Sequence, residues 1–282
     1  MDATPHAHAL PHAHSRGTWG GHVLPGTFFA LWGVWWLLSA ISRWRCTNSA
    51  DAKATFQSRP FWPLSTRPLL EPQLKTVLPL VGVLVELWLH PGDVRWRHAL
   101  DATGEHWVAH SIVNWQHATM YSAFALSGVV DWLSASGRVV LPEGVSWACL
   151  SGAFFIEAFL LVEHLRMQAG LMWDIHLLLI GAVLANALAV AASALLQSFT
   201  STLVCAWCTI AQGGWFLWQA RILYGANPWD REDEDNAMML PVVFVFHLLA
   251  VASLVLAVVS ASGHSALQSL WRHHVEDELR LL

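Results

Sequence analysis

Residues 173–197 read WDIHLLLIGAVLANALAVAASALLQ. Beyond Asp174 and His176 in its opening turn the stretch has no ionisable side chain, and it is longer than the about 20 apolar residues that carry one helix across a hydrocarbon core. It lacks the strict apolar–polar alternation of a barrel strand, and irregular backbone cannot face lipid, so it reads as a membrane-spanning helix. Six further apolar segments read the same way: 26–42, 76–90, 111–134, 145–166, 201–224 and 237–261, the first two needing flanking residues to complete a crossing. The expected fold class is an all-α, polytopic membrane protein, a seven-transmembrane-helix bundle over residues 21–262. A His-rich disordered tail (1–20) precedes it, and a cytosolic C-terminal tail (263–282) follows.

Composition agrees. Of the 282 residues, 55% are hydrophobic and only 12% are charged, against about 25% charged in soluble chains. A water-soluble enzyme is excluded. A net charge of −5 gives no basic field, so nucleic acid is not an expected partner and membrane lipids are. Eighteen tryptophans suit a membrane protein, and Trp35, Trp36, Trp44, Trp132, Trp147 and Trp173, near span ends, are expected to be interface anchors. Four cysteines are too few and scattered for a disulfide framework, and Cys205 and Cys208 lie within an apolar run as small apolar side chains. His6, His8, His12 and His14 sit in a low-complexity tail with no signal-peptide apolar region. Walker, Rossmann and G-x-S-x-G patterns are absent, which argues against nucleotide hydrolysis, dinucleotide chemistry and serine-hydrolase mechanisms.

Orientation follows from the basic residues. One side holds Arg43, Arg45, Lys53, Arg59, Arg67, Lys75, Arg138, Arg272 and Arg280, and the other Arg16, Arg95, Arg97, Arg166, Arg221 and Arg231. Nine against six favours a lumenal or extracellular N-terminus and a cytosolic C-terminus, in an endomembrane or the plasma membrane.

An ionisable residue inside a span costs about 2.5–3.5 kcal/mol on the insertion scale, so each one calls for a partner or a function. The spans contain Glu86, Asn114, His117, Asp131, Glu157, Glu163, His164, Asp174, His176, Gln212, Gln219 and His247. At about 1.5 Å rise per residue, His117, His164 and His176 fall one to two turns below the lumenal surface with Glu86 near their level. Glu157, Gln212 and His247 fall near the midplane, and Asp131 at the cytosolic end. Glu157 and His164 share a helix face but stand about 10 Å apart along it, so they cannot readily hold one ion. A polar cavity entered from the lumenal side, with a shallow histidine layer above a deeper carboxylate–histidine layer, is the expected site. Neutral imidazoles of His117, His164 and His176 could bind Zn²⁺ with an open water position, Glu157 or Glu86 acting as general base or as acceptor for an imidazole N–H. Asn114, Gln212 and His247 would then contact a bound ligand. The alternative is that these groups hydrogen-bond one another and hold the bundle together at about 0.6 kcal/mol per bond.

The remaining polar features read as solvated or as packing devices. His98, His106, His110, His273 and His274 are expected in exposed segments, the run Asp230–Asp235 lacks EF-hand spacing, and Gly213 with Gly214 allows close helix approach.

Several motifs together resemble the transmembrane protein 45 family of multipass proteins: GHVLPGTFF (21–29), NWQHATMY (114–121), SGVVD (127–131), the Glu157–His164 pattern, DIHLLL (174–179), AQGGWFLWQ (211–219), NPWD (227–230) and His247. The resemblance implies a seven-helix fold without an established activity. It implies recurring polar positions at His22, Glu86, Asn114, His117, Asp131, Glu157, His164, His176, Gln212 and His247. Asp174 stands where that family's pattern has a histidine.

Two functions fit. One is a metal-dependent hydrolase of a lipid-like substrate working through zinc. The other is a receptor, transporter or scaffold whose polar layer binds a small molecule, proton or ion.

Overall fold

A computed structural model describes residues 17–47, 55–63, 67–89, 99–101, 103–166 and 168–262. Among them are seven α-helices and no strand: α1 (Trp19–Thr47), α2 (Leu70–Leu84), α3 (Ala109–Ala135), α4 (Val145–Leu165), α5 (Leu171–Leu196), α6 (Phe199–Tyr224) and α7 (Glu234–Ser262). The C-terminal tail lies outside the described residues, as do residues 1–16 of the N-terminal one. The last residues assigned to the N-terminal tail, Trp19 and Gly20, already belong to α1. Four helices, α1, α4, α5 and α7, are long and apolar enough to cross a membrane by length and composition. The chain is thus an all-α, multi-pass membrane protein.

Most of the helices run longer than the apolar segments because polar residues at their ends are helical too. α2 starts six residues before the expected 76, which takes Glu71 and Lys75 out of a loop and into a helix. It ends in a π-helical turn, Val85–Leu89, that carries Glu86. The α5–α6 turn is built from its own side chains. Gln197 adopts a left-handed conformation (φ 46°) and its amide donates to the Ala194 carbonyl at 2.8 Å, while Ser198 caps α6 in a reciprocal box with Ser201.

Helices α2, α3, α4, α5, α6 and α1 follow one another around a ring, each packed on the next, and α7 lies outside against α6 and α5. The closest approach joins α1 to α6 through small residues. A Cβ on Gly213 would collide with the backbone of Ala30 and Gly26, and one on Gly33 would reach Ile210 at 2.7 Å. Apolar surface supplies little drive for association in lipid, so backbone contact of this kind is what holds two spans together. α2 meets α3 similarly, Gly128 resting on the backbone of Lys75 and Thr76. Phe29, Trp32, Phe124, Phe154 and Phe216 stack across the middle of the ring. α1 and α2, next to each other around the ring, are not packed along most of their length, and a cleft opens between them.

Candidate functional site

The shallow layer is a row of imidazoles. The rings of His117 (α3) and His164 (α4) are 5.9 Å apart, those of His164 and His176 (α5) 5.3 Å, and those of His176 and His22 (α1) 5.9 Å. The Tyr224 ring continues the row 5.3 Å beyond His22. Each histidine lies within two turns of the same end of the bundle, which is why the depth count brings three of them together. His22, named by the resemblance alone, is the fourth.

Their hydrogen bonds fix the tautomers, because a carbonyl can only accept. His22 Nδ1 donates to the Thr18 carbonyl (3.0 Å) and His176 Nδ1 to that of Met172 (2.6 Å). His117 Nδ1 lies 3.2 Å from Glu86 Oε1, whose other oxygen accepts from Asn114 Nδ2 at 2.8 Å. Glu86 is therefore the acceptor for an imidazole N–H. His164 is engaged on both nitrogens, by Gln116 Oε1 (3.4 Å) and Gln168 Nε2 (3.0 Å). Both of its ring nitrogens thus have protein partners here. Among the described residues no three His, Cys, Asp or Glu side chains converge with the spacing of a metal site. The histidines form a row, and a zinc ion needs ligands around a point.

One layer deeper, Gln212 Nε2 donates to both oxygens of buried Glu157 at 3.1 Å. Asn186 Nδ2 donates to Gln212 Oε1 (3.0 Å) and Thr209 Oγ1 to Asn186 Oδ1 (3.1 Å), so a chain of amides and a hydroxyl leads to the carboxyl group. Asn186 and Thr209 escape a sequence reading because each sits singly in an apolar run. His247 takes no part. It is half-buried on α7, lies over Gly214, and its Nε2 donates to the Ala211 carbonyl at 2.9 Å. The deeper layer is a carboxyl–amide network, and His247 pins α7 to the outside of α6. Gln219 likewise braces α5, donating with Trp215 to the Ile175 carbonyl.

The cleft between α1 and α2 holds two adjoining chambers of about 320 and 310 Å³ that share Phe28, Leu31 and Leu78. The first reaches inward to His117, Tyr121 and Glu157, whereas Leu24, Leu31, Leu78 and Val81 at its mouth are exposed. The second ends at a cluster that the sequence reading missed. Buried Glu71 accepts from the indole N–H groups of Trp32 (2.9 Å), Trp35 (2.8 Å) and Trp36 (2.7 Å) and from the Trp62 backbone N–H (2.6 Å). Trp35 and Trp36 are therefore ligands of a buried carboxylate rather than interface anchors. Beside them, Lys75 Nζ lies 2.5 Å from Asp131 Oδ2, with both side chains out of contact with the surroundings, and 5.4 Å from the centre of the Trp32 ring. Lys75 and Arg43, counted above as loop charges, are both buried. Without them the basic-residue count drops from nine against six to seven against six, which no longer orients the chain.

With that geometry in place, the chain can be set beside known proteins. Residues 143–260, which hold α4 to α7, match the model of a family of unknown function, DUF716. The chain is similar to transmembrane epididymal protein 1. The human protein of that name is 26% identical over 59% of this chain and 60% of its own length, and the rat protein 28% identical over 53% and 50%. Mouse transmembrane epididymal protein 1A is 27% identical over 59% and 54%. The chain thus spans about half to three fifths of the length of these curated relatives. These matches overturn the resemblance to the transmembrane protein 45 family, since the family model is DUF716 and the relatives carry the epididymal-protein name. Short motifs with a few polar positions in apolar helices discriminate poorly among multi-span proteins.

Proposed function

We propose that this multi-pass membrane protein crosses the bilayer with all seven helices and binds a lipid-like amphiphile in the α1–α2 cleft. The observation that carries the reading is the cavity of about 320 Å³ with apolar walls, exposed leucines and a valine at its mouth, and three polar side chains, His117, Tyr121 and Glu157, in its lining. Pockets lined by apolar side chains with a few placed polar groups are the common form of small-molecule sites. Lateral entry from the bilayer would spare the ligand a passage through water. The histidine row and the Glu157 network form the polar back of the site. In this reading the protein acts as a receptor, carrier or scaffold.

The test is photolabelling of the protein in nanodiscs with a long-chain alcohol bearing a diazirine. Saturable labelling of α1 and α2 peptides, suppressed at least tenfold by filling the shared wall with Leu78→Trp, is the expected result. Labelling spread over α7 and the other lipid-facing surfaces, without saturation, would remove the site.

A further inference from the structure

The two chambers differ in which polar groups are already satisfied. In the second chamber every polar side chain has its partner: Glu71 takes four N–H donors, the indoles of Trp32 and Trp35 are spent on it, and Lys75 is paired with Asp131. Beyond the remaining N–H groups of the paired Lys75 little is left there for a ligand to bond with, and hydrocarbon suits it. In the first chamber the polar groups retain capacity. Glu157 receives only the Gln212 amide, Tyr121 makes no hydrogen bond to another described residue, and His117, donating through Nδ1 to Glu86, keeps the Nε2 lone pair. A carboxyl group and an imidazole lone pair accept hydrogen bonds and the Tyr121 hydroxyl can donate or accept one, so the matching head brings at least one donor, as an alcohol or an amine does. Lys75 is the one Lys or Arg among the described residues lining the cleft, and Asp131 occupies it. An anionic head would therefore sit against the carboxyl group of Glu157 with no free Lys or Arg among the described lining residues.

We infer that the cleft takes a long-chain amphiphile whose head carries hydroxyl or amine hydrogens and no phosphate or carboxylate. The head sits among His117, Tyr121 and Glu157, and the tail runs past Phe28, Leu31 and Leu78 toward the tryptophan-held Glu71. From Gly21 to Trp35 the groove follows fifteen residues of α1, about 21 Å at 1.5 Å per step, which suits a long tail over a short one. This inference rests on the ligand-binding reading above.

The experiment uses the full-length wild-type protein in nanodiscs, the diazirine alcohol as probe, and unlabelled competitors of matched chain length: an alcohol, a primary amine, a carboxylate and an alkyl phosphate. The alcohol and the amine should suppress labelling of α1 and α2 at concentrations at least tenfold lower than the carboxylate or phosphate. Glu157→Gln should weaken the amine about tenfold and the alcohol less. Equal or better competition by the phosphate or carboxylate overturns the head-group assignment and leaves a binding site standing. No saturable labelling by the alcohol probe removes the site itself and the inference with it. The competition series needs only wild-type protein, so misfolding of Glu157→Gln would not blunt it.

Discussion

Lys75 and Asp131 offer the sharpest test of the helix arrangement. Lys75 lies on α2 where Gly128 brings α3 onto its backbone, and Asp131 is one turn further along α3, so the side chains meet at 2.5 Å inside the bundle. Two charges taken out of water lose several kcal/mol of solvation each, and their attraction offsets this only while both are present. Lys75→Met leaves the Asp131 carboxylate alone in an apolar seam and should cost about 3–5 kcal/mol. Asp131→Leu should cost the same, stranding the ammonium against the Trp32 ring. The double variant removes both charges and should recover most of that loss, ending within about 1 kcal/mol of wild type or above it, as replacement of buried pairs by apolar residues generally does. SDS titration in bicelles, followed by far-UV ellipticity, measures all four proteins, and the coupling energy from the cycle should reach about 5 kcal/mol or more. Additive single losses, with a coupling below about 0.5 kcal/mol, would mean that the two side chains do not touch and that the α2–α3 register is different.

Glu71→Leu should be among the most damaging substitutions in the chain, since it strands four N–H donors at about 1–3 kcal/mol each, whereas Glu71→Gln keeps an acceptor and should cost less; melting followed by size-exclusion elution ranks the two. Gly213→Ala should cost about 1–3 kcal/mol through overpacking against α1, while Gly20→Ala, where an added Cβ meets nothing within 4 Å, should be silent in the same assay. In the loop before α3, the Thr103 hydroxyl and then the backbone N–H groups of residues 104–106 hold the Asp101 carboxyl below the usual carboxylate range. A carboxyl depressed in the folded loop stabilises it above the free value near pH ~3.9 and loses that effect as pH falls through the folded value. Amide exchange at residues 103–105 should therefore be slower than in Asp101→Ala at pH 6, and the difference should vanish in strong acid.

The presence of membrane helices was legible because length and composition alone decide it, and the histidine layer because depth along a helix is simple counting. Rotation about the helix axis was not. The spans are apolar on nearly all faces, so no stripe in the sequence says which side faces inward, and His247, correct in depth, points to the outside of α6. Glu71 and Lys75 were hidden for a different reason. A window that looks for apolar residues begins α2 at 76 and assigns the charges before it to a loop, although partners on α1 and α3 hold them inside. The tryptophans misled by their usual habit: a position near a span end suggests the interface, and only the fold shows three indoles turned toward one carboxylate.

Because the first helix closes on the sixth through bare backbone, the order of synthesis matters. α1 reaches the bilayer carrying His22 and Arg43, both buried in the finished ring, long before the ribosome has made the surface that will cover them. If burial of those two side chains matters during insertion, the nascent chain should stay with the translocation machinery until α6 arrives. Truncations ending before Phe199 should stay bound to that machinery and be degraded, whereas chains that include α6 should be released.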